Sequence, residues 1–382
     1  MADTASVVII GGGIIGCSIA YNLAERGLRD VVLVERQFLA AGSTGRSGAG
    51  VRQQWGTEMN CRLARASIKI FEQLEEMLDY PRSIEFKQEG YLILAFTPAE
   101  ARQFEANVRL QRSLGVPVTL MDARGAKEIV PHLVVDRVVA ATFCPEDGHI
   151  NPFLATDAYA RAARRRGVDI RLWTEVTGIL VNNGRVKGVH TNRGFIHCPV
   201  VVNAAGPYSQ LVAAMAGVDI PVYSERHQIL VTEPVQPMQG PMVISFHHGF
   251  YCQQTPHGSF IMGVGDPHEP KDFDVGHSWQ FLEQVCARVR ELLPGLLKLH
   301  LVRQWSGLYN ITPDAQPILG GVPGLEGYWM AVGFSGHGFM LAPITGKIMA
   351  QLILGEQPEI DVSMLGLDRF ERGELIREPS VV

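Results

Sequence analysis

The strongest chemical signal in the chain is a glycine triplet close to its start. Gly11, Gly13 and Gly16 form the pattern G-x-G-x-x-G, and Glu35 follows 19 residues after the last glycine. In dinucleotide-binding proteins such glycines permit a tight turn, close approach of the backbone to a pyrophosphate, and close packing of a helix on a strand. A carboxylate at the distance of Glu35 can accept hydrogen bonds from the adenosine ribose. The spacing therefore predicts a dinucleotide site, and the carboxylate disfavours NADP because it would repel a 2′-phosphate.

The elements that must position this triplet are also visible in the sequence. The β-branched run 7–10 predicts a strand buried on both faces, residues 17–26 predict a helix that Gly27 ends, and 31–34 predict a second strand. The start of that helix would direct unpaired N–H groups and the positive end of its dipole toward phosphates. Strand, triplet, helix, strand and acid in this order indicate a Rossmann-type βαβ unit.

Three segments of small residues favour FAD over NAD. Residues 40–50 read AAGSTGRSGAG, a run in which we expect neither a helix nor a packed strand, and which could lie flat against a large planar ligand. A predicted strand at 200–202 opens onto Asn-Ala-Ala-Gly-Pro, and another at 328–332 leads into the glycine-rich loop 333–340 before an apolar helix at 341–354. Helix-start dipoles aimed at a flavin would stabilise the charge of its reduced form. NAD stays as the alternative.

The bulk composition argues against several classes of protein. The chain has 382 residues, of which 46% are hydrophobic and 19% charged, and a net charge of −5, which favours a globular protein without a nucleic-acid surface. The six cysteines show no C-x-x-C spacing, so we predict no metal site and no disulfide framework. Because no apolar run reaches membrane-spanning length and no signal peptide is evident, we expect a cytoplasmic protein.

Two local patterns give further predictions. Apolar segments at 250–252 and 260–262, on either side of Pro256-His257-Gly258, predict a β-hairpin. An amphipathic helix with a buried stripe is predicted from apolar residues at helical spacing, which are Leu63, Ala66, Ile70, Leu74 and Met77.

The motifs together resemble the D-amino-acid oxidase superfamily of flavoenzymes, in its sarcosine oxidase, L-proline dehydrogenase and glycine oxidase branch, and above all the β-subunits of heteromeric members. The likeness is carried by GGGIIG, STGRSGAGVRQQ, NAAG, WSGLYNITPDAQPILG and GFSGHGFM, in the expected order over nearly the full length. It implies an α/β plus antiparallel-β fold. A Rossmann-type, glutathione-reductase-like FAD domain would comprise 1–80, 150–220 and 315–382, and an interleaved antiparallel-sheet substrate domain 81–149 and 221–314.

The resemblance also implies the reaction and the residues of the substrate pocket. The expected reaction is oxidation of the C–N bond of a small amino acid, such as sarcosine or L-proline, by hydride transfer to FAD, giving an imine. Arg52 aligns with the position that holds the substrate carboxylate, Tyr251 and Tyr309 with aromatic positions of the pocket, and His337 would lie near the flavin. Plain structural roles stay open: Arg52 could pair with a protein carboxylate, and the other three could be core residues.

The predicted cofactor contacts lie in the glycine-rich and small-residue segments and at neighbouring strand ends. They are Gly11, Gly13, Ile14, Ile15, Gly16, Glu35, Arg36, Ser43, Thr44, Arg46, Ser47, Gly48, Ala49, Gly50, Val176, Ala204, Ala205, Gly206, Gly307, Gly333, Ser335, Gly336, His337, Gly338, Phe339 and Met340.

Departures from the family pattern refine these expectations. Gly307 stands approximately where monomeric sarcosine oxidases carry the cysteine that binds flavin covalently, so FAD should be non-covalent. Ile261 and Met340 stand near positions of lysines, and without those cations a dehydrogenase is favoured over an oxidase. Pro152 replaces the histidine that carries covalent FMN in heterotetrameric sarcosine oxidases, which leaves only non-covalent FMN at a subunit interface open.

Two further functions remain open on the sequence. One is a flavin-binding assembly subunit without turnover, which would hold flavin that no amine reduces. The other is an NAD-dependent dehydrogenase, which would be colourless. A partner subunit or electron acceptor is compatible with the resemblance.

Overall fold

The computed structural model describes residues 3–379, which two large β-sheets organise. In chain order the strands are β1 (Asp3–Thr4), β2 (Val7–Ile10), β3 (Val31–Val34), β4 (Gly50–Val51), β5 (Tyr91–Ala95), β6 (Thr119–Met121), β7 (Ala140–Cys144), β8 (Gly148–His149), β9 (Asp169–Arg171), β10 (Val176–Asn182), β11 (Arg185–Thr191), β12 (Gly194–His197), β13 (Val200–Asn203), β14 (Tyr223–Pro234), β15 (Met242–Ser245), β16 (Phe250–Gln254), β17 (Ser259–Val264), β18 (Leu301–Ile311), β19 (Ile318–Val322) and β20 (Leu325–Val332).

The α-helices pack around these sheets. They are α1 (Ile14–Glu25), α2 (Ser43–Arg46), α3 (Glu58–Glu72), α4 (Leu74–Met77), α5 (Pro98–Ser113), α6 (Ala123–Ile129), α7 (Pro152–Arg165), α8 (Ser209–Met215), α9 (Trp279–Leu292), α10 (Gly338–Ile353) and α11 (Arg369–Arg372). In the described part of the chain no helix has the length and apolar character needed to cross a bilayer.

The larger sheet brings the glycine triplet and the small-residue segments after 200–202 and 328–332 to one edge. Its ten strands follow the order β1-β12-β11-β20-β13-β2-β3-β9, with β10 paired to β11 and β19 to β20. The central strands β20, β13, β2 and β3 are parallel, and the register pairs Ile10 with Asn203 and Val34, and Asn203 with Met330. Parallel strands in register end together, so the loops after β2, β13 and β20 all open at the same carboxyl edge.

Helices cover this sheet because its strands are apolar on both faces. All four residues of β2 are buried, as expected of a central parallel strand. On one face α1 packs closely against α10, where a Cβ on Gly346 would overlap with the Ser18 side chain. The rings of Tyr21 on α1 and Tyr159 on α7 lie 5.8 Å apart in the same core. This packing fixes the start of α1 relative to the sheet edge.

The second sheet has eight strands in the order β18-β14-β17-β16-β15-β5-β7-β6 and is mostly antiparallel. The predicted hairpin is present, formed by β16 and β17 with Tyr251 opposite Gly263. The strands of this sheet lie within 91–144 and 223–311, and those of the larger sheet within 3–34, 169–203 and 318–332. The division into two interleaved domains, with its boundaries, stays a prediction.

Two local expectations are wrong. The small-residue run contains the helical turn α2 and the strand β4, which pairs with β8. The turn forms because Gly45 leaves room for the Ala40 carbonyl and the Phe153 ring. The predicted apolar stripe is also displaced: Met77 is 40% exposed, because α3 ends before Gln73 and a separate turn, α4, breaks the helical register.

A buried ion pair ties the C-terminal helix α11 to the turn after β18. The Nε and Nη2 atoms of Arg369 donate to the two carboxylate oxygens of Asp314, at 2.9 and 3.0 Å, and neither side chain is more than 1% exposed. Although burial alone would favour the neutral acid, the Arg369 guanidinium holds the pKa of Asp314 below its ordinary value. Removing one partner would therefore leave an uncompensated charge in the interior.

We predict that Arg369→Met lowers the free energy of unfolding by about 3–5 kcal/mol, the usual effect of leaving a buried charge unpaired. Urea unfolding followed by far-ultraviolet circular dichroism measures this. Arg372→Met is the matched control, because Arg372 forms exposed ion pairs with Asp368 and Glu374, and it should leave stability unchanged. Equal effects of the two substitutions would show that burial of the pair is not what matters.

Candidate functional site

The turn between β2 and α1, here called the cradle, has no room for a side chain at two of its glycines. Gly11 has φ +118°, and a Cβ there would overlap with the Ala204 carbonyl. A Cβ on Gly16 would overlap with the carbonyl oxygen of Gly11. The first and third glycines are thus required by packing, and α1 begins at Ile14 with Gly13 as its N-cap. A glycine turn without side chains, followed directly by the N–H groups of a helix start, is the arrangement that binds a pyrophosphate.

The carboxylate of Glu35 is fixed beside this cradle. It accepts hydrogen bonds from the backbone N–H groups of Gly12 at 2.7 Å and Gln37 at 2.8 Å. The next strand passes close by, since the Thr174 N–H donates to the Glu35 carbonyl and β10 starts at the buried Val176. Glu35 therefore lies against the cradle, and the chain that leads into β10 at Val176 passes beside it.

The loop after β20 is held by strand β18 of the other sheet. Asn310 accepts from the Gly333 N–H through its Oδ1 at 2.7 Å and from the Ser335 N–H through its carbonyl at 2.9 Å. Gly336 has φ +89°, and a Cβ there would overlap with the ring of Tyr309. Helix α10 starts at Gly338. The glycine-rich loop thus packs directly against Tyr309 and leads into the start of α10.

Several predicted cofactor residues already have protein partners. The Ser43 hydroxyl donates to the Leu308 carbonyl at 2.6 Å, and the Thr44 hydroxyl accepts from the Ile14 N–H at 3.2 Å. Arg46 donates to the Ser306 carbonyl at 3.0 Å and packs beside Gly307. Ser43 and Arg46 thus attach the small-residue loop to β18 of the other sheet, and Thr44 attaches it to the start of α1, so the role of these residues includes holding the loop.

The remaining predicted cofactor residues fall into two groups. Ser47, Gly48, Ala49 and Gly50 continue the same loop into β4, and Ala204, Ala205 and Gly206 follow β13 at the carboxyl edge. By contrast, three side chains are directed elsewhere, into the core or over another ring: Arg36 lies 3.7 Å above the Tyr208 ring, Phe339 stacks on Phe71, and Met340 is buried in the core with α1 and α3.

Arg52 is a buried cation surrounded by aromatic rings. It is 3% exposed, and its guanidinium carbon lies 3.8 Å from the ring centroid of Trp55 and 5.4 Å from that of Phe246. Its Nη1 donates to the Gln54 carbonyl at 2.6 Å. Burial lowers the pKa of Arg52 from its usual value, and the opposing influence of Glu378 is the largest that raises it. An arginine keeps its charge in such surroundings.

His337 completes this cluster in its neutral form. Its ring meets Trp55 edge-on, with centroids 4.5 Å apart. Burial and the charge of Arg52 lower the pKa of His337 to about 3, so the imidazole is uncharged at physiological pH. In this neutral form His337 can both donate and accept a hydrogen bond.

The two predicted pocket tyrosines are buried and keep their protons. Burial raises the pKa of both Tyr251 and Tyr309 above the ordinary value, so each phenol remains an O–H donor. Tyr309 stacks on His227, with centroids 3.6 Å apart and ring planes 14° apart. Tyr251 lies against Gly48 of the small-residue loop. The structure thus brings Arg52 and Tyr309 close to the glycine-rich loop that contains His337. Tyr251 lies on β16, against the small-residue loop 40–50.

Other residues of this cluster were not predicted from the sequence. Trp55 and Phe246 carry the aromatic faces under Arg52, and Tyr91 packs so closely on Gly50 that a Cβ there would overlap with its hydroxyl. Trp55 stands three residues after Arg52, which could have drawn attention to it. Tyr91 and Phe246 come from β5 and the turn after β15, and nothing in their local pattern distinguishes them from core residues.

Comparison with known proteins decides the family. The family model described as "FAD dependent oxidoreductase" matches residues 6–352. The chain belongs to this family. It is 32% identical over 379 residues to the sarcosine oxidase subunit beta of an Arthrobacter species, covering 97% of this chain and 92% of that one. The crystal structure of L-proline dehydrogenase from P. horikoshii superimposes with a TM-score of 0.93 at 40% identity, covering 98% of this chain and all of that chain.

More distant relatives agree on the fold. Glycine oxidase from Geobacillus kaustophilus has 25% identity and a TM-score of 0.88, covering 96% of this chain and 99% of that one. Mitochondrial dimethylglycine dehydrogenase of Rattus norvegicus is 30% identical over 390 residues, covering 96% of this chain but only 45% of that protein. The resemblance and the fold class predicted from the sequence are confirmed. No support emerges for an additional FMN.

The cofactor of this FAD-dependent oxidoreductase fits the residues at the sheet edge. The Gly11–Gly16 cradle would hold the pyrophosphate, Glu35 the ribose, and the loop 333–338 with the start of α10 the flavin. When bound, FAD accepts the electrons of the substrate. The residue-by-residue assignment of contacts stays a prediction.

We predict that Gly16→Ala yields protein without most of its flavin, because the added Cβ must push α1 away from the Gly11 carbonyl. The ratio of flavin absorbance to protein absorbance after purification measures this. Gly295→Ala is the matched control, since no atom lies within 4 Å of its added Cβ. Retention of a full complement of flavin by Gly16→Ala would contradict the cradle.

A second prediction concerns the buried carboxylate Asp147, which accepts from the Gln53 N–H and is 0% exposed. Burial raises the pKa of Asp147 to about 7, whereas an unfolded aspartate titrates near pH 3.9, roughly. The folded state thus holds a proton that the unfolded state has lost, and this group's stabilisation falls as pH rises between those values. The melting temperature of Asp147→Asn, relative to the unmodified protein, should increase from about pH 5 to about pH 8. A constant difference would contradict the raised pKa.

Proposed function

We propose that this chain oxidises the C–N bond of a small amino acid, with secondary amino acids such as sarcosine and L-proline as the substrate class. The observation that carries the proposal is the buried guanidinium of Arg52 among aromatic rings beside the glycine-rich flavin loop. The likeness to a sarcosine oxidase subunit and to an L-proline dehydrogenase supports the same class.

Arg52 is the proposed ligand of the substrate carboxylate. A guanidinium presents a fork of donors that matches a carboxylate, and the interaction strengthens where water is excluded. Tyr251 and Tyr309, both buried and protonated, would pack against the aliphatic part of the substrate and each donate one hydrogen bond. Held in this way, the substrate's Cα–H bond has one orientation toward the cofactor.

The same surroundings favour the neutral amine of the substrate. The Arg52 cation and burial each lower the pKa of a bound amine, and the uncharged His337 adds no charge of its own. A neutral amine can supply its lone pair to the bond that becomes C=N, with no dedicated base. The products are a reduced cofactor and an imine that hydrolyses or is released.

We favour a dehydrogenase over an oxidase. Ile261 on β17 and Met340 on α10 are uncharged where resembling oxidases have lysines, and His337 is neutral as well. Reduction of O₂ begins with formation of superoxide, which a nearby cation stabilises. The likeness to a subunit named as sarcosine oxidase beta supports a further proposal, that the chain works with a partner subunit or another electron acceptor. Its cytoplasmic location stays a prediction.

The experiment is to record flavin absorbance under anaerobic conditions while adding sarcosine, L-proline, glycine or D-alanine separately. Bleaching of the oxidised bands by one of the secondary amino acids is the expected result. Slow return of colour in air, and fast return with an artificial electron-accepting dye, would support the dehydrogenase. Flavin that none of the amino acids bleaches would overturn the proposal and favour a non-catalytic flavin subunit.

We predict that Arg52→Met raises KM for the amino acid about 100-fold or more, because loss of one partner of a buried charge pair costs about 2–5 kcal/mol. Bound flavin should be retained, since Arg52 lies outside the cradle. Steady-state assays with the dye measure KM. Arg62→Met is the control, because Arg62 pairs with Glu58 on the exposed side of α3 and should leave KM unaltered. An unchanged KM for Arg52→Met would remove Arg52 from the site.

A further inference from the structure

The segment that carries Arg52 has no regular secondary structure of its own. Residues 52–57 run between β4 and α3 as an irregular, largely buried stretch. Buried backbone N–H groups in such a stretch need acceptors from elsewhere in the chain. Here two carboxylates distant in sequence supply them, Asp147 and Glu378.

Asp147 holds the first half of the segment. Its Oδ1 accepts from the Gln53 N–H at 2.8 Å, and its Oδ2 accepts from the Gln54 side-chain amide at 2.9 Å. The same amide donates to the Tyr91 carbonyl at 3.0 Å. The main-chain carbonyl of Gln54 in turn accepts from Arg52. Gln54 is therefore bound to Asp147 through its side chain and to the guanidinium through its backbone. The side chain of Cys144 also faces Asp147.

Glu378 holds the second half. Its Oε1 accepts from the Gly56 N–H at 2.7 Å, and its Oε2 accepts from the N–H and hydroxyl of Thr57 at 3.1 and 2.8 Å. A fourth bond comes from the Asn60 side chain at 2.9 Å. The carboxylate sits at the first turn of α3, whose N-cap residue Thr57 has no side-chain cap of its own, and the helix dipole favours a negative charge there.

We propose that Asp147 and Glu378 are positioning residues that fix the guanidinium of Arg52 for binding of the substrate carboxylate. The inference rests on the proposed function, since it concerns the residues that hold Arg52, the proposed ligand of the substrate carboxylate. Both carboxylates act on Arg52 electrostatically as well, and Tyr91 does so from β5. The charged or titratable groups that face Asp147 are Arg52, Tyr91 and Cys144.

The first test compares Asp147→Asn and Glu378→Gln in the flavin-loaded enzyme at about pH 8, above the raised pKa of Asp147, using L-proline or sarcosine and a dye. Each should raise KM about tenfold or more while kcat falls by less than about threefold, because displacement of a binding group by a fraction of an ångström impairs binding without changing the cofactor. Matched controls are Asp122→Asn, which alters a carboxylate that caps α6, and Glu374→Gln, which alters an exposed carboxylate on the same tail. The controls should leave both constants unaltered.

The second test asks whether the effect acts through Arg52. In an Arg52→Lys background, Asp147→Asn should raise KM by less than about twofold, because the guanidinium that Asp147 positions through Gln54 is absent. If the two effects multiply, Asp147 acts independently of Arg52 and the positioning proposal is overturned. The same cycle with Glu378→Gln keeps the test valid if Asp147→Asn fails to fold.

Hydrogen exchange separates this inference from the proposed function. In the flavin-loaded protein, Asp147→Asn and Glu378→Gln should each speed exchange of amides in 53–57, and the controls should not. If no amino acid is turned over, the proposed function fails and the exchange result still decides whether the carboxylates order the segment. If turnover is normal and KM is unaltered in both variants, the positioning proposal fails and the proposed function stands.

Discussion

Burial of one guanidinium governs the arrangement of the site. A charge that is 3% exposed must be compensated nearby, and the groups that compensate Arg52 come from distant parts of the chain. The Gln54 carbonyl accepts from it, the rings of Trp55 and Phe246 lie beside it, and the carboxylates of Asp147 and Glu378 act on it. Because these groups come from the segment after β4, the turn after β15, the loop before β8 and the C-terminal tail, the cation can be placed only when these distant parts of the chain pack together.

The cofactor edge imposes a second geometric requirement. Three parallel strands end in register, and the loops that follow them are kept thin by glycine where backbone meets backbone. The loop after β20 is fixed by Asn310 and Tyr309 on β18, a strand of the other sheet. The glycine-rich loop and Tyr309 therefore contact each other directly. Under the proposed function, a substrate bound by Arg52 would have a defined position relative to this loop.

The sequence was sufficient for features that depend on backbone geometry. Gly11 and Gly16 could be predicted because the turn and the helix contact exclude any Cβ, and the order of strand, turn and helix is local. Helix ends were less accurate: α1 begins at Ile14 and α10 at Gly338, earlier than predicted, because glycine lowers the apparent helical propensity of a first turn that tertiary contacts stabilise.

The parts that could not be predicted depend on contacts between distant residues. Nothing in the apolar strand around Tyr91 or the turn around Phe246 indicates a neighbouring cation, and Glu378 lies 326 residues from Arg52 in the chain. The exposed position of Met77 follows from a helix break that its own spacing does not reveal. For Arg52, Tyr251 and Tyr309 the family resemblance was needed, since a lone arginine or tyrosine has several plain structural roles.

The most direct test of the account deletes the carboxylate from the substrate as well as the guanidinium from the protein. Anaerobic stopped-flow measurements would give the second-order rate constant of flavin reduction by L-proline and by pyrrolidine, in the unmodified enzyme and in Arg52→Met. We predict that the unmodified enzyme prefers L-proline about 100-fold or more, and that this preference disappears in the variant. The same preference in both proteins would contradict the assignment of Arg52 as the carboxylate ligand.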